Sequence, residues 1–342
     1  MANLETKISK DRFQPAIIDS AKSEEINKPS LTFWQDAWMR VRKNKGALAS
    51  LIVMVLLVLM AFIGPLISGK DFDTQKVSHN NLPPRIQGLE NISWLPFDGV
   101  KVNKAGKEIN MYEVKKVDEY YWFGTDALGR DLFTCTWKGT QISLYIALLA
   151  ALIDMIIGVA YGAVSGYYGG RLDNVMQRIT EVLVGIPTMI VVILMILVLQ
   201  PGIISITVAL TITGWVGMAR VVRAQVLKLK EQEFVLASKT LGNSDGKIIS
   251  KHLLPNLAGV IIINTMFTIP NAIFFEAFLS FIGLGLQDPL ASLGTLIDEG
   301  FKVLRLHPHE MIIPAIIISL IMITFNMLAD GLRDALDPKM RD

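Results

Sequence analysis

"EFVLASKTLGNSDGKIISKHLLPN", residues 233–256, lies between two long apolar stretches and is polar by comparison. It carries Glu233, Lys239, Asp245, Lys247, Lys251 and His252, yet Phe234, Ala237 and Leu241 recur at i, i+3 and i+7, one stripe of a helix. Gly242 follows the stripe, where a residue free to take positive φ ends a helix. Ser244 or Asp245 then caps a second helix presenting Ile248, Ile249, His252 and Leu253, and Pro255 is expected to stop or redirect it. The stretch reads as two short amphipathic helices joined by a glycine elbow. Helices of this kind need an apolar surface to cover them. Lipid can provide one, but a fixed elbow suits docking into a protein partner better.

The flanks say what the elbow is mounted on. The chain has 342 residues, 51% of them hydrophobic and only 19% charged, below the quarter usual in soluble domains. A bilayer core about 30 Å thick needs roughly 20 apolar residues of helix to cross it. Six runs qualify or nearly do: Gly46–Ile67, Ile142–Val164, Ile179–Leu199, Gly202–Ala219, Leu257–Ile282 and Met311–Ala329. "QPGI" (200–203) is the only link between the third and fourth, a hairpin at the membrane surface. The expected fold is an all-α integral membrane protein with six transmembrane helices. A lone cysteine, Cys135, excludes an internal disulfide. The net charge of +2, with no basic block interleaved with aromatics, gives no sign of nucleic-acid binding.

Lys and Arg near span ends set the orientation. "RVRKNK" (40–45) puts four positive charges before the first span, and 220–256 carries seven Lys/Arg against three acids. The outer loop 283–310 has two against four. Both termini are therefore expected in the cytoplasm of a cell-membrane protein. The domains follow: 1–45, a cytoplasmic tail ending in the interfacial helix "FWQDAWMRVRK" (33–43), which reads equally as the start of the first span; 46–67, that span; 68–141, an extracytoplasmic insertion; 142–330, five spans with the loop 220–256; and 331–342, a cytoplasmic tail. Within the insertion, "DGVKVNKAGKEINMYEV" (98–114) alternates Val100/Val102 and Ile109/Met111 about "KAGK", a β-hairpin expected to pack on the membrane domain or on a partner.

Motifs for chemistry fail on inspection. "GNSDGKI" (242–248) has three residues between its glycines and Ile248 after the lysine, so it is not a nucleotide loop. "GLGLQD" (283–288) reads as a span-end turn, and the histidines of "HPHE" (307–310) as solvated rather than metal-binding. No catalytic residues and no metal site are expected. Three acids fall in or beside spans, Asp154, Glu181 and Glu276, and such acids default to functional hypotheses. Pairing with polar groups of neighbouring helices is the expected fate of all three. A proton-coupled transporter working through Asp154 and Glu276 is the competing reading, but it lacks the repeated, broken helices such folds use; an ion channel is a third.

At this point the residues resemble a family. The 233–256 stretch is similar to the EAA loop of ABC-importer permeases: Gly242 and Leu254-Pro255 match, Leu236-Ala237-Ser238 stands where the naming triplet stands, His252 replaces an isoleucine, and Glu233 matches an earlier acid of the peptide-permease branch. "FGTDALGRDLF" (123–133), "GTQISL" (139–144), "GWVGMARVVRAQVLKLKEQEFV" (214–235), "EAFLSFIGLGL" (276–286) and "DALDPKMRD" (334–342) resemble peptide, dipeptide and nickel permeases, and most of all the C-type oligopeptide subunit. "DPLASLG" (288–294) departs, with Leu293 where tryptophan is usual, and 70–121 looks longer than the family's pattern. The resemblance implies six spans of the ABC-importer permease type in half of a peptide-import channel. It implies a homologous second permease, two cytoplasmic ATPases that use ATP and magnesium, an extracytoplasmic peptide-binding protein, and no cofactor on this chain. It makes Glu233, Ala237, Ser238, Gly242, Asp245, Ile248, His252, Leu254 and Pro255 the expected ATPase-coupling residues.

Overall fold

The chain is described here by a computed structural model covering residues 33–90, 92, 95–102, 108–287 and 290–336. It runs from α1 (Phe33–Lys43) into α2 (Lys45–Ser68). The two are separate helices because the Asn44 side chain accepts from the Gly46 and Ala47 amides and caps the second. An excursion follows with β1 (Val100–Val102), β2 (Glu108–Asn110) and α3 (Met111–Lys115). Then come α4 (Leu132–Tyr168), α5 (Gly170–Gly185), α6 (Thr188–Leu199), α7 (Ile203–Leu229) and α8 (Glu233–Thr240). The chain ends with α9 (Asp245–Phe281), α10 (Leu293–Val303) and α11 (Pro308–Leu336).

Five helices, α2, α4, α7, α9 and α11, are long and apolar enough to cross a bilayer, and α5 and α6 together, bent by 81° at the break between them, have the length and composition for a sixth. The bend corrects the expectation of a straight third span over 179–199. Pro187 has no amide hydrogen to give and holds Ile186 in extended backbone (φ −85°, ψ 121°), so the helix must stop and restart. A second correction falls at Pro255. It neither stops nor redirects the helix: α9 runs on from the elbow into the fifth span through a π-turn at Ile249–Leu253, where the Leu254 amide donates to the Ile249 carbonyl. Widening that turn relieves the clash a proline ring makes with the carbonyl four residues back.

The centre of the bundle is α4 against α7, and three glycines permit it. A Cβ on Gly158 would meet Met218 at 2.6 Å, on Gly162 the Ala219 carbonyl oxygen at 2.3 Å, and on Gly166 the Arg223 carbonyl oxygen at 2.9 Å. Lipid tails are as apolar as leucine, so spans associate through such close backbone packing rather than through exclusion of water. This row, four residues apart on one helix face, went unread in the sequence.

At one end of the bundle the excursion packs on the segment between α9 and α11. Val100 pairs with Asn110, Lys101 with Ile109 and Val102 with Glu108, so the hairpin is present. It is shorter than 98–114: the Asn110 side chain accepts from the Tyr112 and Glu113 amides and starts α3 at Met111. The expected "KAGK" turn lies outside the described residues, as does the tail 1–32. Tyr112, Leu82, Val117 and Tyr121 form a small core for the excursion. The histidines expected in solvent are covered: His307 is 8% exposed, with Lys101 Nζ 3.4 Å from its Nε2, and burial followed by Lys101 and Lys115 lowers its pKa to about 4.

Arg130 joins the excursion to α10. Its side chain is buried, with Nε 2.5 Å from Asp126 and Nη2 2.7 Å from Glu299. Removing one partner of a buried pair strands the other charge at a cost of about 3–5 kcal/mol. Arg130→Ala is therefore expected to lower the thermal stability of the purified protein and expose 69–131 to limited proteolysis, whereas Arg178→Ala, on an exposed pair with Glu181, should change neither.

Candidate functional site: an elbow and a cavity

The elbow is built from α8, the turn at 241–244 and the start of α9. Val235 and Ser238 face inward, and Val235 joins Ala163, Val222, Val226, Ile248 and Leu253 in one buried cluster of α4, α7, α8 and α9. Gly242 has φ +78°, as its place in the sequence requires. The turn is tied down by the Gly242 amide on the Lys239 carbonyl (3.0 Å), the Asn243 amide on the Ser238 carbonyl (3.3 Å) and Asn243 Nδ2 on Ser238 Oγ (3.0 Å). Tyr167, at the end of α4, donates its hydroxyl to Asp245 Oδ1 at 2.7 Å, and Lys230 donates to the Gly166 carbonyl at 2.9 Å. Beside them Arg223 grips Asp173 through two hydrogen bonds of 2.6 and 2.5 Å, fixing α5 to α7. The elbow is thus bolted to the ends of three spans.

The expected coupling residues divide on this frame. Glu233, Ala237, Gly242 and Pro255 are exposed, His252 and Leu254 half-buried, and Asp245 half-buried against Tyr167. Ser238 and Ile248 are buried: Ser238 ties down the turn through Asn243, and Ile248 packs in the cluster that joins the elbow to the spans. The exposed row is apolar: Phe234 is 42%, Leu236 52% and Leu241 81% exposed. The stripe Phe234, Ala237 and Leu241 is therefore turned away from the chain's own core.

The intramembrane acids also divide. Glu276 is enclosed and accepts from Ser143 and Ser280 at 2.9 Å each. Glu181 pairs with Arg178 at 2.8 Å on the surface. Asp154 overturns the expectation of a polar neighbour: it is 5% exposed, and its Oδ1 is buried without a hydrogen-bond partner. It lines a cavity of about 420 Å³ between α4, the α5–α6 bend, α7 and α9, among Thr213, Gly214, Asn264, Phe267 and Asn271. Among the described residues no group of three His, Cys, Asp or Glu is placed to hold a metal ion.

Residues 158–342 match the family model of binding-protein-dependent transport system inner membrane components, and residues 32–84 match the N-terminal transmembrane domain of oligopeptide transport permease C. The chain belongs to the binding-protein-dependent permease family. This permease is 47% identical to a dipeptide transport system permease protein of Bacillus subtilis, over 94% of its own length and 90% of the relative's. It is 42% identical to that organism's oligopeptide transport system permease protein, over 98% and 99% of the two lengths, and 36% identical to the Escherichia coli oligopeptide counterpart, over 93% and 95%.

The resemblance at "FGTDALGRDLF" now has a physical content in the permease. Thr125 Oγ1 accepts from the Leu82 amide (2.8 Å) and donates to the His79 carbonyl (2.5 Å). A Cβ on Gly124 or Gly129, both at positive φ, would strike the Leu82 or Lys76 carbonyl oxygen. Asp126 holds Arg130, and Asp131 caps α4 through the Thr134 amide at 2.9 Å. The motif builds the joint between the excursion and the second span.

Proposed function

We propose that this permease forms half of the translocation path of an ATP-driven peptide importer, and that its elbow couples the path to cytoplasmic ATPases. The observation that carries the coupling is an exposed apolar row on a helix whose other face is bolted to three spans. A push on that row tilts spans rather than bending a loop, which is rigid-body switching between two packings. The docking face is Glu233, Ala237 and Leu241 with Gly242 and the exposed side of 245–255; Ser238, Ile248 and Asp245 position it. The partners are a homologous second permease, two ATPases using ATP and magnesium, and a binding protein that delivers peptide to the excursion side. The relatives' names include both dipeptide and oligopeptide systems, and peptide length is left to the binding protein. The test is ATP-dependent uptake of labelled peptide by proteoliposomes holding the assembled complex. Uptake with a pH gradient and no ATP would favour a proton-coupled carrier. One bent helix pair, α5 with α6, is present, which the sequence reading did not expect; no second bent pair accompanies it among the described residues.

The orientation belongs to the same proposal: the elbow and both termini in the cytoplasm, the excursion and α10 outside. With Cys135, itself buried, replaced by alanine, Lys116→Cys is expected to react with an impermeant maleimide in intact cells. Lys239→Cys should react only after lysis, and its labelling in intact cells would overturn the six-span orientation.

A further inference from the structure

Asp154 is the only charged side chain among the described residues lining the cavity. Its neighbours make room for it: a Cβ on Gly214 would lie 2.3 Å from Asp154 Oδ2. A buried carboxyl oxygen without a donor is costly, and this chain supplies donors elsewhere, serines to Glu276, Arg223 to Asp173 and Arg130 to Asp126. Glu310 Oε1 also lacks a hydrogen bond, but it does not line this cavity and has His307 3.9 Å away. We propose that the Asp154 cavity receives the α-ammonium end of a peptide during its passage, an inference that rests on the importer reading above.

The walls fit that group. The Asn264 amide nitrogen donates to the Val260 carbonyl and the Thr268 hydroxyl to the Asn264 carbonyl, so the side-chain oxygens of these two lining residues keep acceptor capacity. Phe267 and Phe275 add aromatic rings. A carboxyl group, acceptor oxygens and ring faces are what an ammonium requires, since it has three donors and no acceptor. The volume of about 420 Å³ is room for the end of a peptide. The carboxylate end is repelled by Asp154. A lysine side chain offers the same ammonium, but only the α-ammonium is common to peptides of every sequence. A proton relay is a poor fit, because Glu276 is held by serines and does not line the cavity.

The test uses the complete transporter in proteoliposomes with ATP and saturating, peptide-loaded binding protein, loading being measured separately. Two peptides of one sequence without Lys, Arg or His are compared, one with a free amino terminus and one N-acetylated. The wild-type complex should import the free-amino peptide faster. Asp154→Asn should lower its rate about tenfold, as expected for one lost charge-assisted contact, and leave the acetylated peptide's rate unchanged. Asp154→Glu should restore part of the loss. An equal fall for both peptides, or no fall, overturns the inference. So does an equal fall for an acetylated peptide carrying one lysine, which would assign the site to side chains. Should Asp154→Asn fail to accumulate, equal maximal rates for the two peptides through the wild-type complex overturn it. No ATP-driven import of either peptide by wild type would sink the importer reading itself.

Discussion

Gly162→Leu is expected to remove the folded permease from the membrane, whatever becomes of its partners. The first atom added already lies 2.3 Å from the Ala219 carbonyl oxygen and 2.9 Å from Val222 Cβ, and the first of these is backbone. No rotamer change relieves that contact, so α4 and α7 must separate along their length. Ordinary overpacking of a core costs about 1–3 kcal/mol because side chains can yield; a clash on backbone at the centre of the bundle exceeds that range. Separation would also loosen the cluster beneath the elbow, to which Ala163 of α4 and Val222 and Val226 of α7 contribute. The measurement is the amount of full-length protein in detergent-solubilised membranes that elutes as a single species. Gly217→Leu is the control: it lies on α7 with nothing within 4 Å of an added Cβ, and it should leave that amount unchanged. Comparable yields for Gly162→Leu and wild type would mean the glycine row does not organise the bundle.

How far the sequence discloses this molecule follows from which signals are local. Gly242 was readable because an end-of-helix glycine depends on its own φ, and φ +78° is what the structure has there. The apolar runs were readable because crossing a bilayer needs length and composition and little else. The bend at Pro187 was hidden inside one such run, since hydropathy measures burial in lipid and is blind to direction. Pro255 misled for the opposite reason: a proline strains the helix it sits in, and nothing in "KIISKHLLPN" announces the π-turn that relieves the strain here. The Gly158, Gly162, Gly166 row was open to reading, being three small residues at a spacing of four on an apolar helix. That Ser238 and Ile248 are buried had no local sign, because a short amphipathic helix between two surfaces has two faces to satisfy, and periodicity does not say which belongs to whom. Asp154 was visible as a costly residue; its lack of a partner depends on α7 and α9 and has no local sign.

Gly242→Val is expected to leave the permease in the membrane and abolish import. Nothing lies within 4 Å of a Cβ at this position, so the substitution meets no steric obstacle. Its whole effect is backbone: a β-branched residue held at φ +78° carries strain of about 1–3 kcal/mol. The spans do not share in that strain, because the turn at 241–244 joins α8 to α9 outside the buried cluster of Val235, Ile248 and Leu253. The strain is relieved by rotating α8 against α9, at the expense of the Gly242 amide on Lys239 and the Asn243 contacts to Ser238. Rotation turns the exposed Phe234, Leu236 and Leu241 relative to α9, and with them the surface proposed to meet the ATPase. Membrane levels and association with the second permease should therefore stay near normal, while ATPase co-purification weakens and ATP-driven peptide uptake is lost. Lys247→Gln, an exposed change that alters no backbone, should do far less. Wild-type uptake by Gly242→Val with the ATPases still bound would mean that the angle of the elbow is not what couples them, and the exposed row would then be better assigned to the membrane surface.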